Sequence, residues 1–171
     1  IQLNGNYING LRNGKWTFFY ESGVIEYIEN IVNDLREGQY EAYYESGALQ
    51  QTGIYINGLA DGEWTHYYDS VNPEKLGSID ELTPYDNGKI HGTYVSYYES
   101  GSFRQSGTYV NGLREGKLID YFENGNIYES GFYRNGLREG EWFLGHDNGI
   151  QAQKRNFKES KLDGSYEAYY K

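Results

Sequence analysis

The chain repeats itself every 24 residues, and a period of this kind leaves few architectures open. Asn-Gly or a near variant recurs at Asn9-Gly10, Asn33-Asp34, Asn57-Gly58, Asn87-Gly88, Asn111-Gly112 and Asn135-Gly136. A glycine follows each, at Gly14, Gly38, Gly62, Gly92, Gly116 and Gly140, and again at Gly164. The steps between these glycines are 24 residues except for one of 30, which marks an insertion near residues 71–84. Self-similarity at a fixed period signals a stacked array in which each unit buries apolar surface only against its neighbours. Residues 1–171 therefore read as one array of about seven units, partial at both ends.

Within a unit, a short aromatic run such as residues 40–44 or 64–68 ends in a turn pair: Ser22-Gly23, Ser46-Gly47, Ser100-Gly101, Asn124-Gly125 or Asn148-Gly149. Short β-prone runs joined by an X-Gly turn make a hairpin. Glycine at 23 of 171 positions would break helices. If Ser46-Gly47 is a two-residue loop, Tyr44 faces Leu49, Tyr40 faces Gly53 and Gly38 faces Tyr55. The same rule pairs Tyr98 with Phe103 and Tyr94 with Gly107, then Leu118 with Gly131 and Gly116 with Tyr133. A bulky residue faces a glycine twice in each hairpin, and a ring can cover the bare backbone of a strand glycine. A three-residue turn would slip this register by one.

Alternation assigns the faces. A packed face takes Tyr40, Ala42 and Tyr44, then Trp64, His66 and Tyr68. The opposite face takes Tyr43, Tyr67, Tyr97, Tyr121 and Tyr169 amid polar residues, a tyrosine ladder. The expected fold is all-β: an elongated, single-layer antiparallel sheet of tandem 24-residue hairpins, rising about 10 Å per repeat.

Composition narrows the function classes. The formal charge of −10 disfavours nucleic acid and acidic membrane surfaces as partners. No stretch has the apolar length of a membrane span. With no cysteine there is neither a disulfide framework nor a thiolate metal site. The chain starts and stops inside a repeat, which reads as a trimmed piece of something longer. Its trimmed ends, missing thiols and many tyrosines lean towards a bacterial cell envelope or secreted location.

At G-x-Y-x-N-G-L-x-x-G-x-W, with Asn87-Gly88-Lys89-Ile90-His91-Gly92 as the best local match, the chain resembles the MORN repeat. The tail W-x-x-Y-Y-x-S-G is similar to the bacterial MORN-variant branch, the YwqK-type antitoxin-like proteins. The resemblance covers the whole chain outside the insertion. It implies an elongated antiparallel sheet of hairpins serving as a scaffold, a membrane-proximal or dimerisation module, or a presumed antitoxin.

Three features are candidate sites. Rings of Tyr43, Tyr67, Tyr97 and Tyr121 can anchor a protein or stack on sugars, or simply stabilise their cross-strand neighbours. Arg12, Arg36, Arg114 and Arg138 share one phase and Glu37, Glu115 and Glu139 the next, which reads either as a row that grips phosphate or carboxylate groups or, as the favoured expectation, as a solvated edge of weak ion pairs that blocks unwanted pairing. The insertion carries Pro73, Glu74, Asp80, Glu81 and Pro84, either a functional loop on a rigid scaffold or a tolerated long turn. His66, His91 and His146 lie in different repeats and build no zinc site. No nucleophile elbow, phosphate-cradling loop or cofactor motif is present. The last unit is irregular, with Gly145, His146, Arg155 and Asn156 in place of the usual residues.

The leading expectation is thus a non-enzymatic scaffold, with no catalytic residue, metal or cofactor, that binds a protein or other macromolecule. Self-association through the end strand at residues 166–170 is a further expectation. A carbohydrate-binding surface module and an antitoxin that neutralises a partner toxin are the alternatives.

Overall fold

A computed structural model describes residues 3–69 and 77–170. The fold is all-β and antiparallel, with no helix among the described residues. Two compact units divide the chain at Lys89 and Ile90. The first contains β1 (Leu3–Ile8), β2 (Leu11–Phe19), β3 (Ile25–Val32), β4 (Leu35–Tyr43), β5 (Leu49–Ile56), β6 (Leu59–Tyr67) and β7 (Ile79–Asp86). The two-residue β8 (Lys89–Ile90) falls at the boundary. The second contains β9 (Gly92–Tyr97), β10 (Phe103–Val110), β11 (Leu113–Tyr121), β12 (Ile127–Arg134), β13 (Leu137–Gly145), β14 (Gln151–Lys158) and β15 (Lys161–Ala168). In each unit the strands pair in sequence order to form an open sheet.

Two kinds of turn alternate. The Asn-Gly turns are two-residue loops with both residues left-handed, as in Asn57 (φ 52°) and Gly58 (φ 81°). That is the hairpin geometry whose twist matches the strands, and it favours Asn-Gly. The Ser-Gly turns differ from the two-residue expectation. Gly47 N–H donates to the Tyr44 carbonyl, and Tyr44 N–H donates to the Ala48 carbonyl, each at 2.9 Å, so the loop is Glu45-Ser46-Gly47. Such a loop is a tight turn closed by a left-handed glycine. Its extra residue slips the register, and Tyr43 rather than Tyr44 faces the Leu49 position.

A β-bulge undoes the slip. Ala42 faces Gln51 while Tyr43 faces Leu49, leaving Gln50 as the extra residue. Glu26, Asp80, Arg104, Tyr128 and Ala152 occupy the same place in their repeats. Beyond the bulge the expected pairs hold: Tyr40 faces Gly53, Gly38 faces Tyr55, Leu118 faces Gly131 and Gly107 faces Tyr94.

The ring seated on each glycine is not the one expected. A Cβ built on Gly53 would lie 2.2 Å from the Trp64 ring; on Gly5 it would meet Trp16 at 2.1 Å, and on Gly131 it would meet Trp142 at 2.2 Å. These rings stand across the Asn-Gly turn, 11 residues on, rather than across the Ser-Gly turn. Tyr40 instead packs against Trp64 with centroids 5.5 Å apart, so rings from both flanking strands meet above Gly53. Trp16, Trp64 and Trp142 are among the most buried side chains, at 2, 4 and 1 % exposure. Each indole lies roughly perpendicular to a tyrosine ring 5.0–5.2 Å away: Tyr7, Tyr55 or Tyr133. Where the mate is not glycine the ring is smaller: Glu29 faces Tyr40, and Arg155 faces Tyr166.

The charged edge is likewise not a row of solvated Arg-Glu pairs. The carboxylates of Glu37, Glu115 and Glu139 accept the first N–H of the following turn, at Asn57 (2.7 Å), Asn135 (2.7 Å) and Glu159 (3.1 Å). The arginines fold over the packed face, with Arg36 above Tyr40 and Tyr55 and Arg138 above Trp142 and Phe157. A guanidinium over an aromatic face is electrostatically attracted to it and covers it from water.

Candidate functional site

The turns ahead of the bulges decide what the open face displays. The second residue after the turn glycine faces a ladder ring: Phe19 with Ile25, Tyr43 with Leu49, Tyr67 with Ile79, Tyr97 with Phe103, and Tyr121 with Ile127. These pairs form a transverse apolar stripe within each unit. Phe103 and Ile127 are 54 and 44 % exposed, whereas the four tyrosines are half-buried. Tyr97 stacks on Phe103 at 5.2 Å, and Phe103 is 6.3 Å from Tyr121. Sequence reasoning missed these aliphatic and phenylalanine partners because a two-residue loop sends Leu49 and Phe103 to the packed face. The signal was the 24-residue column Ile25, Leu49, Phe103 and Ile127.

Neighbouring repeats hold the ladder in place. Tyr20, Tyr44 and Tyr98 hydroxyls donate to the carbonyls of Tyr43, Tyr67 and Tyr121, at 2.7–2.8 Å. Tyr43 has its own partner, since its hydroxyl donates to Glu41 Oε2 at 2.7 Å. Burial first, then the hydrogen bond and negative charge of Glu41, push this phenol up to about 12. The folded pKa is raised, so the associated stability is complete below the usual phenol value of 10 and lost as pH rises towards about 12. Tyrosinate absorbance is expected to show a phenol titrating near 12 that moves to lower pH in Glu41→Gln but stays above the ordinary value, because its burial remains; an unchanged titration would contradict this.

The stripe breaks at Gly145, which faces Gln151. A Cβ there would lie 2.2 Å from the Ile127 carbonyl oxygen, so this close approach of the backbones admits no side chain. A depression of about 430 Å³ remains, lined by Ile127, Ser130, Phe143, Gly145 and Gln151 among others.

The acids assigned to the insertion separate. Glu74 lies outside the described residues. Asp80 and Glu81 belong to β7 rather than to a loop, because strand pairing resumes at Ile79 opposite Tyr67. Asp80 is the bulge residue. Glu81 turns to the packed face, where its Oε1 is 3.1 Å from His66 Nδ1 and accepts from Thr83 Oγ1 at 3.1 Å. The described residues contain no group of three or more His, Asp or Glu able to hold a metal.

Hairpin repeats locked to their neighbours at both edges, with an apolar stripe turned outwards in each unit, define a modular repeat scaffold. The chain belongs to the MORN repeat variant family, whose model matches residues 12–33, 36–57, 90–111 and 114–135, together 88 of 171 residues. Repeats of this family are generally binding scaffolds for proteins or membranes and typically non-enzymatic modules. Comparison with curated proteins found no match.

Proposed function

We propose that this chain is a non-enzymatic scaffold that binds a protein partner through the open-face stripe. The observation that carries the reading is the exposure of Phe103 and Ile127 on either side of the half-buried ladder tyrosine Tyr121, on a sheet stapled by the Tyr98 hydroxyl. Exposed apolar side chains flanked by rings are the usual anchors of a protein interface. In the second unit Tyr97 and Tyr121 serve as the supports of that surface and Phe103 and Ile127 as its contacts; Tyr43 and Tyr67 support the stripe of the first unit.

Affinity capture from the source cell, with the bound protein identified and its affinity measured, tests the reading. Phe103→Thr with Ile127→Thr, which places β-branched residues in both strands, is expected to weaken the partner at least about tenfold while backbone amide spectra show the fold retained and the melting temperature falls only through the lost contact with Tyr97. A partner held equally well by the double variant would contradict the proposal. Stripe-dependent binding to neutral oligosaccharides, with no protein captured, would replace it with the carbohydrate reading.

A further inference from the structure

Four arginines occupy one phase of the repeat, and three of them have a carboxylate. Arg12 Nε lies 3.1 Å from Asp34, Arg36 Nε 2.5 Å from Glu29, and Arg138 grips both oxygens of Glu129 at 2.9 and 3.2 Å. Arg114 has none among the described residues. Its Nε–H donates to the Tyr109 hydroxyl at 2.9 Å and its Nη1 to that of Tyr133 at 3.3 Å. The sequence explains the difference. Gly107 stands where Glu29 serves Arg36, Gln105 where Glu129 serves Arg138, and Gly136 where Asp34 serves Arg12. Gln105 is itself engaged, donating to Asp120 Oδ1 at 2.5 Å. The ring beneath Arg138, Trp142, is replaced at the corresponding position by the smaller Leu118.

A guanidinium has five N–H donors in a fixed fork that matches a carboxylate. At Arg114 phenols engage two of them, and the fork is half-buried between two rings in a chain of net charge −10. We propose that Arg114, bracketed by the Tyr109 and Tyr133 hydroxyls, is a recognition site for a carboxylate presented by a protein partner. The sister repeats supply the precedent, since each pairs its arginine with an internal carboxylate, drawn from a different position in each repeat. A singly charged carboxylate also suits an acidic protein better than a phosphate dianion does. The site lies on the face opposite the stripe, so the two surfaces stand or fall separately.

Titration of the full chain followed by arginine side-chain ¹⁵N resonances tests this, with N-acetylglutamate α-amide and inorganic phosphate as probes. The glutamate probe is expected to shift the Arg114 Nε signal saturably and to leave Arg36 and Arg138 unmoved. Gln105→Glu, made together with Asp120→Asn so that an amide still faces a carboxylate across this pair, supplies the carboxylate from within and should weaken the probe at least about tenfold. Arg114→Gln should abolish binding, with backbone amide spectra confirming the fold of both variants. The proposal is overturned by an unmoved Arg114 signal, by equal shifts at all three arginines, by tighter binding of phosphate than of the glutamate probe, or by an unchanged affinity in the Gln105→Glu, Asp120→Asn double variant.

Discussion

Gly53→Ala is expected to destabilise the protein by about 3 kcal/mol, an effect far beyond that of an ordinary strand substitution. Gly53 is not left-handed, so the cost does not come from backbone strain. It comes from space: the methyl carbon would sit 2.2 Å from the Trp64 ring, well inside contact distance. The indole must lift off the backbone and lose burial against Tyr40 and Tyr55. Gly131→Ala should behave alike beneath Trp142. Gly107→Ala should be nearly neutral, because its Cβ would meet only the Leu118 side chain, at ordinary contact distances of 3.4 Å and beyond. Urea denaturation of the three variants checks the ranking. Equal losses at all three glycines would contradict it.

Arg36→Ala is expected to cost about 3 kcal/mol, measured in the same way. Glu29 is 3 % exposed on the packed face, and Arg36 is its ion-pair partner. Removing the guanidinium leaves a carboxylate out of water with its charge uncompensated, and uncovers the rings of Tyr40 and Tyr55. Arg114→Ala breaks no ion pair and should cost only about 1 kcal/mol through lost packing and hydroxyl contacts. In the Glu29→Gln background, Arg36→Ala should cost markedly less than it does alone. Equal costs in the two backgrounds would show that Glu29 does not depend on Arg36.

Much of the sheet was legible in the residues. The 24-residue period, the all-β hairpins and the pairs Tyr40–Gly53 and Gly38–Tyr55 follow from turn residues and alternation alone. Two features were not. The loop at Ser46-Gly47 has three residues, and a bulge at Gln50 cancels it, so a count made from the turn errs near the loop and is right again further along. That local error hid Phe103 and Ile127 on the open face. The tryptophan seats were written in the sequence as Gly5 and Trp16, Gly53 and Trp64, and Gly131 and Trp142, each 11 residues apart. They were missed because cover was sought across the Ser-Gly turn rather than across the Asn-Gly turn. The roles of Glu37 and Glu115 depend on where the next repeat's turn comes to lie, which spacing within a single repeat does not reveal.

The claim on which the fold account rests is that bare glycine backbone is the seat of a ring from the following strand. A double-mutant cycle between Gly53→Ala and Trp64→Leu measures it directly, since leucine reproduces the Leu118 arrangement above Gly107. The alanine is predicted to cost about 2 kcal/mol less in the leucine background than in the wild type. Costs that add to within about 0.5 kcal/mol would show that the ring and the glycine are not coupled, and would contradict the account.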